Sequence, residues 1–174
     1  MQTPPWYVLT GGPCAGKTTT IEELAKRGYP VLAEAARLII EEKLAAGLSL
    51  EQIVADPDWM PSVARRKYAM EKAMPADMAY FFDRGIPDSV AYYRLVHLPI
   101  DEMLRAMMDE IRYRKVFLLD LVDFKNDVAR HETPEQAMII HGMIREAYAD
   151  QGYEIVEVPI MPLGERVDFI LAQV

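Results

Sequence analysis

At 174 residues, 51% of them hydrophobic and 26% charged, the chain carries enough apolar material for one compact α/β domain and too little length for several. Its net charge of −8 excludes a general basic surface for nucleic acid, so the expected partners are small molecules or other proteins. The lone Cys14 excludes a disulfide framework, no apolar stretch approaches the length of a membrane span, and Met1 to Pro5 lacks the charged start and apolar body of a secretory signal; cytoplasm is the expected location.

In chain order, Trp6-Tyr7-Val8-Leu9 predicts a first strand and Thr19 to Lys26 a helix closed by Gly28. Between them, Gly11-Gly12-Pro13-Cys14-Ala15-Gly16-Lys17-Thr18 satisfies the Gly-x4-Gly-Lys-Ser/Thr pattern of a phosphate-binding loop. Its glycines let successive N–H groups turn inward at a helix N-terminus, where the macrodipole also favours anions. Residues 11–19 are therefore the expected nucleotide contacts, Thr19 included. Lys17 is expected to reach the terminal phosphates, and the Thr18 hydroxyl to ligate Mg2+.

Tyr29 to Leu32 reads as a second strand and Ala33 to Ala46 as a helix stopped by Gly47. Leu50 to Asp56 suggests one turn, and Ser62 to Ala73 a helix. Met78 to Phe82 is a third strand, with a helix from near Pro87 and another over Asp101 to Arg112. Val116 to Leu121 is a fourth strand, Pro134 to Asp150 a long helix, Tyr153 to Val158 a fifth strand, and Gly164 to Ala172 a closing helix. Strands alternating with helices imply a parallel sheet covered on both faces, three layers in all. Ligands in such sheets bind beyond the carboxyl ends of the strands, so the polar residues found there are the candidates.

Four groups stand at that edge. Asp83-Arg84-Gly85-Ile86-Pro87-Asp88 follows the third strand: Asp83 suits a magnesium ion or the proton of an attacking hydroxyl, Arg84 a phosphate clamp, and Asp88 the acceptor, whereas the plainer role is a turn cap beside a surface charge. Asp120, ending the fourth strand with Asp123 close behind, competes for the metal, and spacing alone does not separate it from Asp83. Glu34 and Arg37 share a helix face, where they either pair with each other or serve a hydroxyl and an anionic acceptor. The polar stretch from Asp123 to Glu132, with Lys125 and Arg130, is either a solvated loop or a lid near 123–133 that brings an arginine to the transferring phosphoryl group. His97, His131 and His141 lack zinc-ligand spacing, Met103, Met107 and Met108 suit a core, and Trp59 is a packed aromatic or part of a cover over the acceptor.

Tyr7 to Pro13, Glu34-Ala35-Ala36-Arg37, Phe82-Asp83-Arg84-Gly85, and Tyr153 to Val156 ahead of a proline resemble the small AAA-type P-loop ATP-binding proteins. That group is similar to the nicotinamide riboside kinase domain of bacterial regulators and, more distantly, to thymidylate and deoxynucleoside kinases. The resemblance implies a P-loop NTPase fold with a five-stranded parallel sheet in the order 2-3-1-4-5, a helical acceptor region and an arginine-bearing lid resting on Asp127, Arg130 and Glu132. The chain is too short for the two-part module of ring-forming AAA machines. It also lacks Asn-Lys-x-Asp, since Lys125-Asn126-Asp127 only scrambles that guanine signature, so ATP is expected over GTP. The expected activity is transfer of the γ-phosphoryl of Mg-ATP to a small acceptor, nucleosides being one class. The alternative is a nucleotide-dependent switch that displays a surface to a protein partner.

Overall fold

The computed structural model of the chain describes residues 3–122 and 133–174. Five strands, β1 (Trp6–Thr10), β2 (Val31–Leu32), β3 (Tyr80–Asp83), β4 (Lys115–Leu119) and β5 (Ile155–Val158), form one sheet in the order β2-β3-β1-β4-β5, with every pairing parallel. The layers are those that the sequence pattern predicts, and the order is the one that the family resemblance implies. The helices are α1 (Lys17–Lys26), α2 (Ala35–Ala45), α3 (Leu50–Val54), α4 (Trp59–Lys72), α5 (Ile86–Leu95), α6 (Glu102–Glu110), α7 (Pro134–Asp150) and α8 (Leu163–Leu171).

Period-two alternation sends the central strands' side chains to two separate cores. Trp6, Val8, Phe82, Val116 and Leu118 pack against α5, α6 and α7 through Ile86, Val90, Leu104, Met107, Met108, Ile140, Ile144 and Tyr148. Tyr7, Leu9, Phe81, Phe117, Leu119 and Val158 pack on the other face against Ile21 and Leu24 of α1 and Val167 and Ile170 of α8. With apolar residues needed on both faces, β1 is buried along its whole length. Met107 and Met108 are core residues, as their spacing predicts. Trp59 joins Ile39 and Ile53 in a smaller cluster under α2 and α3.

Helix α4 begins at Trp59, three residues ahead of the expected Ser62. Pro61 falls in the first turn, where its missing N–H costs no intrahelical bond, and the Asp56 carboxylate accepts from the Asp58 N–H (2.9 Å) to turn the chain into the helix. Strand β3 runs one residue further than its apolar pattern and pairs Asp83 with Leu9 in the last rung of the ladder. That register sets an acidic residue beside the start of the phosphate-binding loop. Among the described residues, no helix is long and apolar enough to cross a membrane.

Candidate functional site

The phosphate-binding loop leaves β1 and winds into α1 through two left-handed residues, Cys14 (φ 68°) and Gly16 (φ 74°), the second forming the helix N-cap. A side chain at Gly16 would meet the Arg166 guanidinium at 2.5 Å, the far end of a side chain that can swing aside, so it is the left-handed backbone that calls for glycine here. The Thr19 and Thr20 hydroxyls donate to Gly16 O (2.9 and 2.8 Å), and Arg166 from α8 reaches Thr20 Oγ1 (3.4 Å). Gly12 N–H donates to His141 Nδ1 of α7 (3.3 Å). Burial holds the His141 pKa below the usual range, which keeps that nitrogen an acceptor at neutral pH.

Lys17 is buried and donates through Nζ to Gly11 O (3.0 Å) and Gly12 O (2.8 Å). Burial, helped by the neighbouring Arg84 charge, lowers its pKa to about 8, against the opposing pull of Asp83, Glu34 and Asp88.

Arg84 occupies the left-handed region (φ 67°), an unusual conformation for a side-chain-bearing residue, and its N–H donates to Leu9 O (3.0 Å). From there its guanidinium bonds Glu34 Oε1 (2.7 Å) and Asp88 Oδ1 (3.1 Å), makes a longer contact to Gly11 O (3.4 Å), and lies over the Tyr92 ring. Burial pushes the Glu34 pKa up, but Arg84 and Lys17 outweigh it and hold the carboxyl below its ordinary value. Asp88 is saturated: Oδ1 also accepts from the Thr10 hydroxyl (2.7 Å), and Oδ2 accepts from Gly85 N–H (2.9 Å) and the Tyr148 hydroxyl (2.6 Å). It anchors the turn after β3.

Asp83 is treated differently by its surroundings. It is 4% exposed, its Oδ1 is buried with no hydrogen-bond partner, and burial followed by the Glu34 charge raises its pKa. A buried carboxylate left without donors is costly unless a cation or a proton completes it. That orphaned oxygen, on a residue whose strand pairs with Leu9 just ahead of the phosphate-binding loop, suits a hard cation such as Mg2+, which takes few protein oxygens and shares phosphate oxygens with its nucleotide. Among the described residues, no cluster of three or more His, Cys, Asp or Glu is suited to hold a metal by itself.

Two cavities meet at this edge. One, of about 400 Å³, is lined by the phosphate-binding loop with Pro13, Cys14, Gly16, Lys17, Thr18 and Thr19. The other, of about 330 Å³, lies under α2 and α4 and is walled chiefly by Ala36, Ile40, Trp59, Met60, Val63 and Tyr93. Pro13, Glu34 and Arg84 line both. Trp59 is thus both a packed aromatic and a wall.

The structure does not bring every candidate here. Arg37 is exposed, pairs with Glu41 (3.3 Å) instead of Glu34, and lines neither cavity. Asp120 and Asp83 both line neither cavity, so lining does not separate the two carboxylates; Asp120 donates its N–H to Val158 O (3.0 Å). Arg130, with Asp123, Lys125, Asn126, Asp127, His131 and Glu132, lies outside the described residues. Sequence reasoning missed Lys67 and Glu71, buried on α4. The one signal they offered was an i,i+4 charge pair, which on most helices marks a solvated face.

A Gly-x4-Gly-Lys-Thr loop after the central strand of a 2-3-1-4-5 parallel sheet defines a P-loop fold of nucleoside-kinase architecture. Residues 6–166 match the model of a family described as AAA domain, and the chain belongs to that family. Among solved structures it is similar to the NadR protein in complex with NR, with a TM-score of 0.73 and 19% identity over 96% of this chain and 48% of that one. It is also similar to deoxyadenosine kinase from M. mycoides (TM-score 0.63, 14% identity, 97% of each chain) and to thymidylate kinase from Ehrlichia chaffeensis (TM-score 0.64, 12% identity, 97% of each chain). At these identities the likeness is one of fold, and the chain spans about half the length of the NadR protein. No curated protein matches it.

Proposed function

We propose that the protein is a phosphotransferase that moves the γ-phosphoryl of Mg-ATP to the hydroxyl of a small, nucleoside-like acceptor. The observation that carries this reading is the pair of cavities sharing a wall of Glu34 and Arg84, one side lined by the phosphate-binding loop and the other by aromatic and apolar side chains. A nucleotide-hydrolysing switch has no need of the second cavity. NadR was solved with NR, and the other two neighbours are named as a nucleoside kinase and a nucleotide kinase, which supports an acceptor of that size. Both cations lining the acceptor cavity are already engaged, Arg84 by Glu34 and Asp88, and Lys67 by Glu71 and the Asp83 carbonyl.

In this reading Lys17 and the loop amides hold the phosphates, while Thr18 and Asp83 would hold the magnesium ion, which neutralises phosphate charge when bound. The acceptor oxygen attacks Pγ, the bond from Pγ to the β-bridging oxygen breaks, and ADP leaves. Glu34 faces both cavities and receives the acceptor's proton. A weak base suffices there, because proton transfer is late in a loose phosphoryl-transfer transition state. Arg84, and Arg130 from the 123–133 segment, offset charge on the transferring group.

The test is ADP release with Mg-ATP and Mg-GTP across a panel of nucleosides, nucleotides, sugars and aminoglycoside-like amines. One nucleoside-class acceptor should raise release at least tenfold above the water-only rate, and Lys17→Met or Thr18→Ala should abolish it. A flat panel with tight nucleotide binding would replace this reading with the switch.

A further inference from the structure

Lys67 sits on the buried face of α4, 4% exposed, one turn after the Val63 wall of the acceptor cavity, and lines that cavity itself. Its Nζ donates to the main-chain oxygen of Asp83 (3.1 Å) and stands 3.6 Å from Glu71 Oε1. Glu71 is wholly buried; its Oε2 accepts from the Tyr113 hydroxyl (2.7 Å), and the Tyr113 oxygen in turn accepts from Ile86 N–H (2.7 Å). The chain of contacts therefore closes a bracket. It grips the carbonyl of Asp83 at one end and the amide of Ile86 at the other, with left-handed Arg84 and extended Gly85 held between them.

An apolar pair at 67 and 71 would spare the protein the desolvation of an ammonium and a carboxylate, and such replacements are often neutral or stabilising. Global stability therefore gives no reason for this pair. Its geometry does: the donors act on the two peptide groups that fix where Asp83 and Arg84 point. Because Trp59, Met60 and Val63 of the same helix wall the cavity, a molecule seated there bears on the element that carries the bracket.

We propose that Lys67 is a positioning residue: through the Lys67–Glu71–Tyr113 bracket, α4 sets the orientation of the Asp83-Arg84 turn and ties it to occupancy of the acceptor cavity. The inference rests on the phosphotransferase reading for its kinetic consequence but not for its structural one. Displacing a reacting or stabilising group by about an ångström costs on the order of 100-fold in rate.

The experiment compares wild type with Lys67→Met/Glu71→Gln, whose new amide still accepts from Tyr113, and with Tyr113→Phe, which opens the bracket at its other end. In hydrogen exchange of the unliganded proteins, the Arg84 and Ile86 amides should exchange at least tenfold faster in the double variant. Where the acceptor screen gives turnover, kcat should fall at least thirtyfold with the KM for ATP within twofold, and Tyr113→Phe should lose about fivefold. Restoring Lys67 alone, as Glu71→Gln, should return most of the rate. Unchanged exchange at both amides overturns the proposal whether or not the protein turns over. So does a kcat within threefold of wild type, or a rate loss matched by an equal loss of ATP affinity. Should the double variant fail to fold, Tyr113→Phe decides by the same readings. Absence of any acceptor-dependent turnover in wild type sinks the phosphotransferase reading alone.

Discussion

Glu71→Gln makes the buried carboxyl on α4 measurable as a stability. Burial raises the Glu71 pKa from the usual 4.5 to about 7, against the opposing effects of Lys67 and the Tyr113 hydroxyl. The folded chain thus keeps a proton that the unfolded chain releases between those values, so the group's contribution is fully present below pH 4.5 and is lost as the pH rises through about 7. Between pH 5 and pH 8.5 the loss amounts to about 2–3 kcal/mol, since a tenfold change in proton affinity is worth about 1.36 kcal/mol and a small part is already gone at pH 5. The side chain is wholly buried, so solvent does not screen this figure. Urea denaturation of wild type and Glu71→Gln across that range isolates the effect, since every other titrating group is common to both. The variant should gain about 2–3 kcal/mol relative to wild type at the alkaline end, or roughly 5–10 °C in Tm for a chain of this size. Parallel curves, offset by a constant at every pH, would refute the placement of an ionisable Glu71 in an unrelieved interior.

Gly85→Ala would set a methyl 2.5 Å from Tyr148 Oη and 2.9 Å from Tyr113 Cζ, and should cost about 1–3 kcal/mol by thermal unfolding as the rings shift. Tyr148→Phe removes one donor from saturated Asp88 and should destabilise by about 1–2 kcal/mol, read by the same method, with ATP affinity unchanged. Arg130→Ala should leave nucleotide binding intact by calorimetry while raising the barrier to transfer by about 2–4 kcal/mol. Turnover equal to wild type would remove Arg130 from the mechanism.

The parallel three-layer sheet and the phosphate-binding loop were legible because each is encoded locally, the first by alternating apolar strands and helical periods and the second by fixed glycines, whereas the strand order came only from the family resemblance. Burial on both faces left β1, β3 and β4 almost uniformly apolar, which is the pattern read from the sequence. The charges at the site were legible only in part. Glu34 and Arg84 were identifiable from their places after strands, but their pairing across 50 residues was not, since the pattern offered Glu34 either Arg37 or an acceptor hydroxyl as its partner. Lys67 and Glu71 were invisible because a charged pair one turn apart reads the same on a wet helix face as on a dry one. Their burial depends on β3 and Tyr113, fixed by packing at long range.

Arg166 stacks a consequence onto the order of synthesis. The open face of Gly16 is filled by a guanidinium that lies 146 positions beyond Thr20, its hydroxyl partner on α1. A nascent polypeptide still lacking that arginine has Gly16 and Thr20 without their guanidinium neighbour, so native packing around the first turn of α1 should mature only after α8 has emerged from the ribosome and docked.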